Sequence, residues 1–324
     1  MSQLNHNTQA ILLLTTHFEK KGPVEYKPLT PTEWGRFARW MRDQSIVPGD
    51  LLESNRQDLL RGYQDEKISM ERIENLINRG ATLALSIEKW SRAGLWVITR
   101  SDSAYPLKLK DRLGHNSPPV LFGSGDKNLL NVMAIAAVGS RNITDDDINF
   151  SRSIGAKVAA SGFALVSGGA RGVDESSMLG ALEADGTAIG ILADSLLKKT
   201  TSRAFRNHIQ RNNLVLISPF SPEAGFNVGN AMARNKYIYC LSDTAVVVHS
   251  GRTGGTWNGA TENLKQKWVP LWIKKTNDLD SGNSNLVNLG GHWLPDNVLN
   301  SDLDFLFEIA HGSQNDQLAM FESE

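Results

Sequence analysis

Arginine, lysine, serine and glycine gather in four short segments between residues 138 and 256, and in loops those residue types are the chemistry of phosphate binding. The segments are Val138-Gly139-Ser140-Arg141, Ser167-Gly168-Gly169-Ala170-Arg171-Gly172-Val173-Asp174, Arg234-Asn235-Lys236 and Gly251-Arg252-Thr253-Gly254-Gly255-Thr256. An arginine fork donates two parallel hydrogen bonds to a phosphate, and a lysine brings a point charge. Glycine lets a ligand approach the backbone, and a helix start presents free N–H groups to an anion. The expected contacts are Gly139, Ser140 and Arg141; Ser167, Gly168, Gly169 and Arg171; Arg234, Asn235 and Lys236; and Thr253, Gly254, Gly255 and Thr256. Asp174 reads as the N-cap of the helix that follows its loop.

These segments need a scaffold that brings them together. From residue 134 onward, apolar β-type runs alternate with helical patterns. The runs are Ala134–Val138, Ala164–Ser167, Thr187–Leu192, Leu214–Ile217, Thr244–His249 and Val269–Ile273. Helices fit Asp146–Ser161, Glu175–Ala184, Thr201–Asn212, Asn230–Ser242 and Trp257–Lys267. Such alternation predicts βαβ units and a parallel sheet covered on both faces. Three of the four segments follow a run directly, so an open sheet gathers them at its carboxyl edge. The fold class expected is α/β, an extended Rossmann-like, doubly wound parallel sheet preceded by a small helical domain.

Four regions divide the chain: a helical domain at 1–93, a connector at 94–133, the Rossmann-like domain at 134–276 and an extension at 277–324. In the first, Pro31-Thr32-Glu33 opens an amphipathic helix carrying Trp34, Phe37 and Trp40. Prolines at 106, 118 and 119 give the connector extended or turn backbone. The extension holds a helix near Leu303–Ala310, and the polar end from Ser313 reads as mobile.

Composition limits the partners. With 34 basic and 35 acidic residues the formal net charge is −1, so bulk attraction does not draw a polyanion to the whole surface. A local patch must do so, and Lys198–Arg211 is the best placed, with five basic residues and no acid between Asp194 and Glu223. A solvated amphipathic helix is the plainer account of the same run. The single Cys240 excludes an internal disulfide and a cysteine-based metal cluster, and it reads as a buried thiol. No apolar run approaches the ~20 residues that span a bilayer, and a cytoplasmic location is the default expectation. Thr144-Asp145-Asp146-Asp147 has the form of a helix cap, which accounts for its acids without a metal. No metal or cofactor is expected.

Taken in order, the motifs resemble the DprA/Smf family of DNA-processing proteins. The resemblance covers about residues 94–273 and includes Ser101-Asp102-Ser103-Ala104-Tyr105-Pro106-Leu107, Pro118-Pro119-Val120-Leu121-Phe122, the two glycine loops, Gly180-Ala181-Leu182 and Arg234-Asn235-Lys236-Tyr237-Ile238. It implies a protein that holds single-stranded DNA in a basic pocket, hands it to a RecA-type recombinase and forms a homodimer, with no catalytic residues. The chain departs from the family pattern at Ser177-Met178, Ser218-Pro219, Thr253–Thr256 and Glu262. The run Arg234…Ser242-Asp243-Thr244-Ala245…Gly254-Gly255-Thr256…Glu262 also resembles the LOG phosphoribohydrolases of the same superfamily. That second resemblance implies nucleotide binding or cleavage, with Arg234 gripping phosphate and Glu262 facing a ribosyl cation.

Overall fold

In the computed structural model, which describes residues 4–18 and 26–308, the apolar runs form the centre of one nine-stranded sheet. Its strands are β1 (Trp96–Thr99), β2 (Val120–Ser124), β3 (Ala134–Val138), β4 (Ala164–Ser167), β5 (Thr187–Ile191), β6 (Leu214–Ser218), β7 (Thr244–Val247), β8 (Leu271–Ile273) and β9 (His292–Trp293). They lie in the order β1-β2-β6-β5-β4-β3-β7-β8-β9. From β6 across to β9 every pair is parallel; β1 with β2, and β2 with β6, are antiparallel. The connector therefore contributes two strands to the sheet itself, and β9 extends the other edge.

The helices are α1 (His6–Thr15), α2 (Pro31–Asp43), α3 (Arg56–Leu59), α4 (Met70–Ile77), α5 (Gly80–Arg92), α6 (Leu107–Leu113), α7 (Asp145–Ala160), α8 (Val173–Glu183), α9 (Leu196–Thr200), α10 (Arg203–Gln210), α11 (Val228–Leu241), α12 (Gly255–Gln266), α13 (Asn283–Asn288) and α14 (Phe305–Glu308). Successive residues of β3 serve opposite faces, as a period of two requires. Ile135 and Ala137 pack with Ile154, Val158 and Met178 of α7 and α8, and the same apolar cluster runs on into Leu12, Phe37 and Trp90 of the N-terminal helices. Ala134, Ala136 and Val138 pack with Tyr237, Ile238 and Ala260 of α11 and α12. Trp90 meets Phe122 of β2 edge-on at 5.0 Å, joining the helical region to the sheet.

Several elements differ from the sequence expectation. The Lys198–Arg211 run is two helices broken at Thr201-Ser202, and Ser202 is the N-cap residue of α10. The connector carries α6, begun right after Pro106, because proline is tolerated at a helix start. Leu51–Leu60 is a 3-10 turn followed by the four-residue α3. Thr144 does cap α7, accepting from the Asp147 N–H, and the Asp147 carboxylate is taken by Lys274 Nζ at 2.7 Å. The terminal residues read as mobile, and the last turn of the helix expected near Leu303–Ala310, lie outside the described residues.

Candidate phosphate-binding pocket

β3 starts the parallel sheet; β4, β5 and β6 build outward on one side of it, and β7 and β8 on the other. The loops after β3 and β7 thus diverge at a topological switch point, where open α/β sheets form their crevice. A pocket of about 500 Å³ lies there, between Gly139–Asn142 after β3, Thr253–Thr256 at the start of α12, and the first turns of α11. A second chamber of about 320 Å³, lined by Gly168–Arg171, Leu192–Asp194 and Lys199, adjoins it. Arg141, Ala170, Phe226 and Arg234 line both chambers.

The floor is a buried ion pair. Arg234, on the second turn of α11, is 4% exposed and lies 3.7 Å from Asp174 on the first turn of α8. Arg234 Nε and Nη1 have no hydrogen-bond partner among the described residues. Burial raises the Asp174 carboxyl above its ordinary range, against the Arg234 charge and the Ala170 N–H. Burial likewise depresses the Arg234 guanidinium, which Asp174 opposes. Gly168 is required by this packing, since a Cβ there would overlap the guanidinium. Asp174 is consequently not a cap: Gly172, at φ +94°, occupies the N-cap position of α8 with no side chain to offer.

The rim is cationic, with Arg141 and Arg171 exposed and Lys199 half-buried. Arg141 sits 5.0 Å over the ring of Phe226, in cation–π contact. Lys199 Nζ reaches across the second chamber to the Gly169 carbonyl at 3.2 Å. Arg171 holds Asn142 Oδ1 at 2.5 Å. Phe226, Val228 and Met232 stand 59%, 63% and 46% exposed beside these cations, an apolar strip along the mouth.

The expected contacts divide accordingly. Gly139, Ser140, Arg141, Arg234, Asn235 and Thr253–Thr256 line the first chamber, and Gly168, Gly169 and Arg171 the second. Asn235 ties the walls together, donating from Nδ2 to the Gly255 carbonyl at 2.9 Å. Ser167 lies beneath the pocket, fully buried, with its hydroxyl given to the Ala137 carbonyl at 2.6 Å. The Ser140 N–H is also spent, on the His249 carbonyl at 2.9 Å. His249 then bridges the Ser140 hydroxyl (3.2 Å) and Asp278 (3.0 Å). Lys236 is two residues from Arg234, about 200° around a helix, and lies over the Tyr237 ring outside both chambers. Glu262 is exposed on the second turn of α12 and belongs to neither pocket wall.

Sequence reasoning did not single out Phe226, Val228 or Met232, and it met Lys199 only as part of the basic run Lys198–Arg211. The usable signal was an aromatic residue inside the Pro- and Gly-containing loop that follows a strand's carboxyl end, Pro219–Asn227.

The model of the family described as DNA recombination-mediator protein A matches residues 96–300, which span every loop of the pocket. The chain belongs to that family. The DNA processing protein DprA of Bacillus subtilis is 28% identical over 176 residues, covering 53% of this chain and 58% of the relative. The chain thus spans little more than half the length of that curated relative. Among solved structures, DNA processing protein A from Helicobacter pylori, described by its single-stranded DNA binding mode, aligns with a TM-score of 0.54 at 23% identity, over 64% of this chain and 94% of that one. DprA from Streptococcus pneumoniae aligns with a TM-score of 0.56 at 18% identity, over 82% and 95%. At such identities the structural likeness is one of fold. Among the described residues no helix is long and apolar enough to cross a membrane.

Proposed function

We propose that this protein binds single-stranded DNA, with the phosphates held by Arg141, Lys199 and Arg171 and a base stacked on Phe226. The observation that carries the reading is the Arg141–Phe226 contact on the ridge between two chambers, each open to solvent. A polynucleotide strand needs cations for its backbone and aromatic faces for its bases, side by side in an open groove. A nucleotide-sized pit needs neither the second chamber nor the apolar strip. The single-stranded DNA binding mode described for the H. pylori homologue supports this reading, and membership of the family supports a DNA-processing role. Transfer of the strand to a RecA-type recombinase and assembly as a homodimer belong to the same proposal.

The nucleotide-cleaving alternative asks Glu262 to face the ligand beside Arg234. Glu262 is instead exposed on α12 outside both chambers, within electrostatic reach of Tyr237, Tyr239 and Cys240 of α11. Of the carboxylates that border the two chambers, Asp174 is engaged with Arg234, and Asp194 lies within electrostatic reach of the same guanidinium. Binding is therefore the reading the geometry favours.

The direct test is titration of a dye-labelled oligonucleotide by fluorescence anisotropy across a salt series. Phosphate-led binding to a single strand falls with a log–log slope of about −0.7 per neutralised phosphate. Three cations on the rim set an expected slope near −2 or steeper. No binding at low salt, or affinity independent of salt, would reject the reading.

A further inference from the structure

We infer that the bound strand does not end at the pocket but leaves it along α9 and α10, on a track made by Arg203, Arg206 and Arg211. This rests on the proposed binding of single-stranded DNA and adds the path the strand takes. The track is continuous with the second chamber. Lys199 lines that chamber, reaches the Gly169 carbonyl at 3.2 Å, and lies 5.7 Å from the ring centroid of Phe205 on α10. The first turn of α10 is thereby fixed against the glycine loop.

Phe205 is the buried anchor of α10, and the residues around it point outward. Arg203, two positions back, falls about 200° away on the helix, and Arg206 about 100° away. Both are exposed, as is Arg211 just beyond the last turn. None of the three forms an ion pair with any described residue. Elsewhere on the surface Arg36, Arg92 and Arg152 are paired with carboxylates, whereas Arg39 and Arg61 stand unpaired among the described residues but apart from both chambers. On α10 the charges are left open.

Direction matters as well as charge. β5 ends beside the chamber and β6 begins at the opposite edge of the sheet, because the two strands are parallel. The connection through α9 and α10 must run from the pocket edge back to the other edge. Eight residues of helix cover about 12 Å of that distance. Arg203, Arg206 and Arg211 therefore descend the flank in sequence from the pocket mouth, at a reach no short ligand in the pocket can share. A polyanion is the one ligand class that fits a row of unpaired cations leading out of a phosphate pocket. An acidic protein surface would meet the same charges without needing the pocket.

Oligonucleotide length separates these cases. The Arg203→Ala/Arg206→Ala double variant should bind a 6-nucleotide strand as the unmodified protein does. It should bind a 30-nucleotide strand more weakly, with the salt slope reduced in magnitude by about 1.4, two phosphate contacts at ~0.7 each. Arg141→Ala should weaken both lengths, which marks loss of the pocket rather than of the track. Equal affinity and equal slope for the 30-nucleotide strand in the double variant would overturn the track and leave α10 to an acidic partner. Failure of the unmodified protein to bind either length would remove the pocket reading, and the track with it. Both substituted side chains are exposed, so the circular dichroism and melting temperature of the double variant should match the parent and exclude a folding defect.

Discussion

The floor and the rim of one pocket use the same residue type for opposite ends. Arg234 is buried against Asp174, its charge balanced inside the protein. Arg141 is exposed and rests on Phe226, its charge turned to solvent. The buried arginine shapes the crevice, and the exposed one is available to grip. A sequence motif that sets an arginine among small polar residues does not distinguish the two. The difference is made at the carboxyl edge of the sheet, where the first turn of α8 from one face closes over the Arg234 guanidinium of α11 on the other, while Arg141 stays on a loop.

That contrast predicts stability losses at the floor and binding losses at the rim. The largest effect is expected at Asp174. Asp174→Ala leaves Arg234 buried and uncompensated, at a cost of about 3–5 kcal/mol, read by urea unfolding. Pairing it with Arg234→Met should restore much of the loss, since apolar replacement of a buried pair is often neutral or better. A single-variant cost below about 1 kcal/mol would show that the floor charges are not coupled in this way. Next comes Gly168→Ala, whose methyl group must displace the guanidinium, costing about 1–3 kcal/mol; an unchanged midpoint would break the floor description.

Phe226→Ala tests the other side. It should leave stability within about 0.5 kcal/mol and weaken oligonucleotide binding by about 1–3 kcal/mol, the worth of one stacked base. Loss of stability without loss of binding would reverse the assignment. A smaller, sharpening observation uses Cys240, buried near the end of α11. Burial pushes its thiol up to about 12, so the reactive thiolate is scarce at pH 8. A thiol reagent should leave the native protein unmodified at that pH and modify the Asp174→Ala variant. Rapid labelling of the native protein would show a floor more open than described.

The alternation of apolar runs made the sheet legible: β3 and β4 lie where the sequence placed them, to the residue, because a strand buried on both faces has no polar interruption. The carboxyl-edge loops were legible for the same reason, since they begin where those runs end. Burial within the loops was not. Ser167, Asp174 and Arg234 read as ligand contacts or caps, and only the folded edge of the sheet, where the first turn of α8 on one face meets α11 on the other, makes them interior. Lys236 falls outside the pocket because neighbours in sequence are not neighbours in space on a helix at a separation of two. Phe226 left only a weak mark, an aromatic residue in a Pro- and Gly-containing loop it shares with Phe220, and no periodic pattern singles out one of the two.

The central claim, that the rim rather than the floor holds a DNA strand, is tested most directly by Arg141→Ala. Affinity for single-stranded DNA should be measured across a salt series, with the melting temperature followed in parallel. The account predicts an unchanged melting temperature, weaker binding, and a salt slope smaller in magnitude by about 0.7, the loss of one phosphate contact. Unchanged affinity and slope in a fully folded variant would contradict it.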